Sequence, residues 1–232
     1  MSDTAAVRTF EVRHVQLARA AFAAIAAVMI TFSPDHSAIV GVAVFSGFAI
    51  ATALVHLLAA WLVYPAGARW PSILLGIATL LAGMAGGLTP LRTTTGFFAL
   101  VVTWAIVTGI IETVAGARGL RALKPREVEP GEIAPWSDGT ATHVASRGES
   151  RDALVVGVLT VVLGLALLCV PTSYALQYTI EDAHATFTLT GIIIAVGIFG
   201  GYSAIVAVYL AIAGFSPRAA APASTATTED AA

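Results

Sequence analysis

Apolar residues fall into six long blocks along this chain, over residues 15–32, 38–63, 71–88, 93–117, 153–170 and 186–215, with short polar breaks between most of them. A helix rises about 1.5 Å per residue, so about 20 apolar residues cross a hydrocarbon core about 30 Å thick. The pattern predicts an all-α, polytopic membrane protein of six transmembrane helices. The first block is the weakest, because Gln16 and Arg19 lie in its opening turns and a cleaved signal peptide competes with a span there. No small-x-small cleavage site precedes the second block, which favours a retained helix. The long polar segment 118–152 mixes proline, glycine and charge without helical periodicity and reads as an irregular loop. The tail 217–232 is low in complexity and lacks the apolar residues needed to fold, so disorder is expected. Neither segment reads as a second domain, and residues 1–232 form a single integral membrane unit.

Composition strengthens this picture. Only 11% of residues are charged and 57% are hydrophobic, whereas a soluble domain carries about 25% charged residues. The mean hydropathy is +0.85. Too little charge is present to cover a water-facing surface, so membrane lipids are the expected partner. The net charge of −2 gives no reason to expect nucleic acid. The single cysteine, Cys169, lies in an apolar run, cannot form an internal disulfide, and reads as a small buried hydrophobe.

The distribution of charge says more than its sum. Arg8 and Arg13 precede the first block, Arg69 lies between blocks two and three, and Arg118, Arg121, Lys124, Arg126, Arg147 and Arg151 lie between blocks four and five. Arg218 follows the sixth, while the opposite side has only Arg92. Basic residues resist translocation, so both termini are predicted to be cytoplasmic in an inner membrane.

The odd-numbered blocks end at Pro34, Pro90 and Pro171. Seven residues before each stand Ala27, Gly83 and Gly164, and seven earlier again Ala20, Gly76 and Gly157. A seven-residue step returns to nearly the same helical face, so each odd helix carries a small-residue stripe where another backbone can approach. Alanine and glycine are abundant enough for some coincidence, but nine matches favour three helical hairpins in series.

The segments WPSILLGIATLLAGMAGGLTP and WAIVTGIIETVAGARGLR, within residues 70–121, resemble the HdeD-like acid-resistance membrane proteins. In that family's repeat a glycine-rich helix ends in proline and the next helix closes with glycine, small residues and arginine. The resemblance is looser over the outer hairpins, and the 118–152 loop and the 171–186 segment exceed the family's short connections. It implies a six-helix inner-membrane protein associated with acid or general stress, with no catalytic residue to carry over.

Against this apolar background Glu112 stands out. It lies 22 residues after Pro90, and His56 lies 22 residues after Pro34, so the two are repeat equivalents. Glu112 sits roughly 9 Å of helical rise short of Arg118. No base is found three or four positions away on its own helix; its neighbours are Thr108, Gly109, Ala115 and Gly116. Arg19, 15 residues before Pro34, falls at a similar depth. Arg19, His56 and Glu112 are therefore expected to meet near the cytoplasmic side. Burial favours a neutral carboxyl, a nearby arginine favours the carboxylate, and histidine changes charge near neutral pH, so such a group can couple protonation to helix packing. The competing reading is that Arg19 snorkels to lipid phosphates and His56 is a hydrogen-bonded core residue.

Other candidates are weaker. Asp35, His36, Glu181, Asp182 and His184 read as a solvated acidic rim without metal-ligand spacing, and no cofactor is expected. GGYSAI lacks the second glycine of a nucleophile elbow, so Ser203 reads as a packing residue, as do Gly197 and Gly201. Trp61 and Trp70 suit an aromatic belt, and Trp136 lies in the polar loop. No nucleophile, base and orienting group can be assembled, which disfavours an enzyme. The leading expectation is a non-enzymatic membrane protein shaping proton or solute permeability. A small transporter or channel is one rival. An assembly partner acting through the 118–152 loop, or as a homo-oligomer, is another.

Overall fold

The computed structural model describes residues 10–123, 146–181 and 185–216. Arg8, Lys124, Arg126, Trp136, Asp182, His184 and the 217–232 tail lie outside the described residues. Six α-helices are described: α1 Val12–Thr31, α2 Ala38–Leu62, α3 Trp70–Gly86, α4 Thr94–Ala122, α5 Arg147–Leu168 and α6 Gly191–Phe215. Five of them are long and apolar enough to cross a membrane, and α3, at 17 residues, is shorter. Local chemistry sets several starts. Ser37, Thr93 and Ser146 each accept a hydrogen bond from the backbone N–H three residues on, and Pro71 opens α3 where its missing N–H costs nothing.

The 118–152 segment is not irregular throughout. α4 continues through Arg118 to Ala122 and α5 begins at Arg147, so both ends of the segment are helical. A second departure lies at the other end of the molecule. Strands β1 Ala175–Ile180 and β2 Ala185–Thr190 pair as an antiparallel hairpin, and residues 186–190 are strand rather than the first turn of α6. The threonine-rich ATFTLT run suits a pleated strand better than a helix. Its register puts Leu176 opposite Leu189, with Gln177 opposite Thr188 and Thr179 opposite Thr186 on the other face.

The closest helix pairings are α4 with α5, α1 with α6 and α2 with α3. The expected hairpin partners, α1 with α2, α3 with α4 and α5 with α6, pack less intimately. The small-residue stripes explain why. A Cβ at Gly76 or Gly83 of α3 would strike Leu57, Ile50 and Ala49 of α2, and one at Gly157 or Gly164 of α5 would strike Thr113, Ile106 and Ala105 of α4. Ala20 and Ala27 are buried on α1, whose partner is α6, and a Cβ at Gly200 of α6 would meet Ile30 of α1. Each stripe therefore docks on the even helix of the preceding hairpin, and α1 closes the ring on α6.

Gly197 and Gly201 do not pack: both face outward with open space around them. They share one face of α6, but the face that turns inward carries Ala195, Phe199, Tyr202, Ser203, Val206 and Leu210. Ser203 is fully buried and donates to the Phe199 carbonyl at 2.9 Å. Cys169 also departs from expectation, standing exposed at the end of α5 instead of being buried.

The centre of the bundle is aromatic. Phe45 and Phe48 of α2, Trp104 of α4, and Phe199 and Tyr202 of α6 pack mostly edge to face, with ring centroids 5.2 to 6.4 Å apart. Such pairs contribute about 0.5–1.5 kcal/mol each beyond area burial. The outer surface carries exposed Ile25, Met29, Leu58, Leu81, Ile110, Val162 and Ile212, the inverse of a water-soluble bundle. Trp61 and Trp70 are exposed near the end of α2 and at the start of α3.

Candidate functional site

Arg19 and Glu112 meet. Arg19 Nη1 donates to Glu112 Oε1 at 2.8 Å, and their side chains are only 15% and 7% exposed. His56, equally buried, lines the same cavities. Two charges removed from water are tolerable because each is the other's partner; removing either from such a pair costs about 3–5 kcal/mol. α4 brings Glu112 to this place because Gly109 and Gly116, one turn before and after, let α5 approach: their Cβ atoms would meet the Gly157 carbonyl and the Ser150 and Leu154 backbone.

The trio forms the floor of a vestibule of about 430 Å³ that opens toward the arginine-rich end. The floor lies about 15 Å along α4 from its end at Ala122. Higher in the vestibule stand groups that spacing alone did not reveal. Asp152, 7% exposed, accepts from Gln16 Nε2 at 2.7 Å and from Tyr209 Oη at 3.0 Å. Hydropathy alone leaves Asp152 at the end of the 118–152 segment, whereas it stands within α5. Carrying the seven-residue step once more from Gly157 lands on Ser150, which packs against Gly119, and that step would have placed Asp152 inside α5. Tyr64, just past α2, lines the rim; burial pushes its phenol up, and the Glu149 carboxylate pushes it further.

Beyond the trio the space contracts to an inner chamber of about 20 Å³. Its walls repeat around the bundle. Phe48 and Trp104, Thr52 and Thr108, and His56 and Glu112 lie 14, 18 and 22 residues after Pro34 and Pro90 respectively. α6 supplies Tyr202, Val206 and Leu210 at the same spacing. The register of α6 is set by Gly214, whose Cβ would meet Leu17 and the Arg13 carbonyl as that of Gly116 would meet Leu154 and the Ser150 carbonyl. From the odd helices come Ala23, Thr79 and Thr160, each 11 residues before its proline. Trp104 Nε1 donates to Thr79 Oγ1 at 3.2 Å, and the Tyr202 and Thr160 hydroxyls bond at 2.8 Å. In the first hairpin the matching residues are Phe48 and Ala23, which have no polar atoms to pair.

Asp35 accepts from the Ser37 backbone and hydroxyl, each at 2.8 Å, and among the described residues no group of three or more His, Cys, Asp or Glu is placed to hold a metal. Comparison with known protein families, characterised proteins and solved structures finds no match to this chain.

Proposed function

We propose that this chain is a non-enzymatic, six-span protein of the inner membrane, with both termini cytoplasmic, which controls proton movement through the Arg19–Glu112–His56 floor of its vestibule. The observation that carries the reading is the buried 2.8 Å ion pair in the floor of the vestibule of about 430 Å³. An intramembrane ion pair needs a reason to be kept, since a well-packed apolar pair of equal volume would be no less stable. Protonating Glu112 removes the charge that holds Arg19, so acid on the vestibule side changes the packing of α1 against α4. Beyond the floor the space narrows between Phe48 and Trp104, which suits controlled leakage better than an open pore. The repeated chamber walls support an origin by triplication of one hairpin, and an acid-stress role of HdeD-like type fits a protonatable floor.

Proteoliposomes with an internal pH dye test this. After an acid jump the wild type should differ from empty vesicles, and Glu112→Gln should erase the difference. Coincident traces for wild type and empty vesicles would sink the proposal. A second reading, binding of a small solute in the vestibule, is favoured by its volume, which lies within the roughly 300–1,000 Å³ of small-molecule sites.

A further inference from the structure

The vestibule ends at Arg19, His56 and Glu112, but the polar surface continues inward. Four buried hydroxyls have no hydrogen-bond partner among the described residues: those of Ser46, Thr52, Thr113 and Ser150. Thr52 is the one that lines the inner chamber; it is 6% exposed and lies one turn from His56 on α2. A cavity holds one water when it offers about 10–15 Å³ and two to four polar partners. The chamber offers about 20 Å³. Thr52 and His56 line it from α2. Glu112, whose Oε1 is held by Arg19, lines the same chamber from α4. A buried hydroxyl left without a partner costs about 1–3 kcal/mol, so the site gains by admitting water.

We propose that the inner chamber binds a single water, and that this water relays a proton between Glu112 and His56. The water site stands on geometry alone; the relay rests on the proton reading of the vestibule. Among the described residues the ionisable groups lining the chamber are Arg19 from α1, His56 from α2, Glu112 from α4 and Tyr202 from α6. The Tyr202 hydroxyl is engaged with Thr160 of α5, and Thr79 of α3 with the Trp104 indole, which leaves Glu112 and His56 to exchange the proton. A proton entering from the vestibule forms an O–H bond on Glu112 and releases Arg19. That O–H bond then breaks as the water gains the proton, while another O–H bond of the same water breaks and an N–H bond forms on His56. Water is regenerated, Glu112 is again a carboxylate beside Arg19, and His56 carries the positive charge.

The test uses the full chain in lipid and three forms: wild type, Thr52→Val and Thr52→Ser. Valine keeps the volume and removes the hydroxyl, and matching melting temperatures establish that packing survives. A structure resolving ordered solvent should show one water within hydrogen-bond distance of position 52 in the wild type and in Thr52→Ser, and none in Thr52→Val. An empty chamber in the wild type overturns the site. In the acid-jump assay Thr52→Val should slow proton entry by roughly tenfold or more, with Thr52→Ser near wild type. Wild-type rates in Thr52→Val overturn the relay. If wild type and empty vesicles coincide, the proton function and the relay both fall, and the density still decides whether the water is bound.

Discussion

At the scale of single residues, the charge pair and the glycines make opposite demands. Arg19→Leu leaves the buried Glu112 carboxylate without its partner and should cost about 3–5 kcal/mol, read by chemical unfolding in detergent. The double replacement Arg19→Leu with Glu112→Leu should recover much of that loss, because no charge is then left unpaired. If the double variant is as unstable as the single one, the pair is not what sets stability there. The glycines separate by environment. Gly157→Ala drives a methyl into the Thr113 and Glu112 backbone and should cost about 1–3 kcal/mol. Gly197→Ala meets open space on a helix and should be neutral or stabilising by up to about 1 kcal/mol. Equal effects at the two positions would contradict the packing described. The seven-residue spacing was enough to find Gly76, Gly83, Gly157 and Gly164, because it samples one face of a helix whatever lies opposite. Gly197 and Gly201 also share a face, but spacing cannot say whether that face points toward protein or lipid when both are apolar.

At the scale of elements, the β-hairpin is the least integrated part of the fold. Its strands pair with each other, and its main contact with the bundle among the described residues is that of β2 with α6. The Gly191 N–H donates to the Tyr174 carbonyl at 2.9 Å, so the chain ends flanking the hairpin are already side by side. Replacing residues 175–190 with a short glycine and serine turn should leave the melting temperature of the bundle within a few degrees of wild type. A collapse of stability would show that the hairpin braces α5 and α6. Hydropathy placed residues 186–190 in a helix because a window sums apolarity and is blind to the period of 2 that marks a strand. The ends of α4 and α5 escape hydropathy for the converse reason: arginine, serine and aspartate hide a helix from hydropathy while barely disfavouring it. Asp152 is hidden with them.

At the scale of the whole molecule, labelling reads the orientation and truncation reads the closure of the bundle. In a Cys169→Ser background, a membrane-impermeant maleimide applied to intact cells should label Ser33→Cys and leave Ala68→Cys unlabelled. The reverse pattern would invert the assigned topology and turn the vestibule outward. The ring of pairings, α2 with α3, α4 with α5 and α6 with α1, gives each odd helix a close partner outside its own hairpin. The first and last helices are therefore joined, and truncation of α1 should unseat α6 and expose Tyr202 and Val206, both lining the inner chamber.

Hydrophobic block length by itself determined that the chain is helical and suited to a membrane, because only about 20 apolar residues in a row satisfy both backbone and lipid. Repeat spacing and helical rise also determined that Arg19, His56 and Glu112 share a depth, since distance along a helix axis is a linear function of sequence. Tertiary structure alone decided who faces whom. It put Arg19 on Glu112, turned Gly197 and Gly201 outward, seated each stripe on the preceding hairpin's even helix, and shaped the vestibule and chamber. Azimuth about a helix axis is chosen by the sum of contacts with neighbours, and in an apolar solvent the sequence carries little contrast between a lipid-facing side and a protein-facing one.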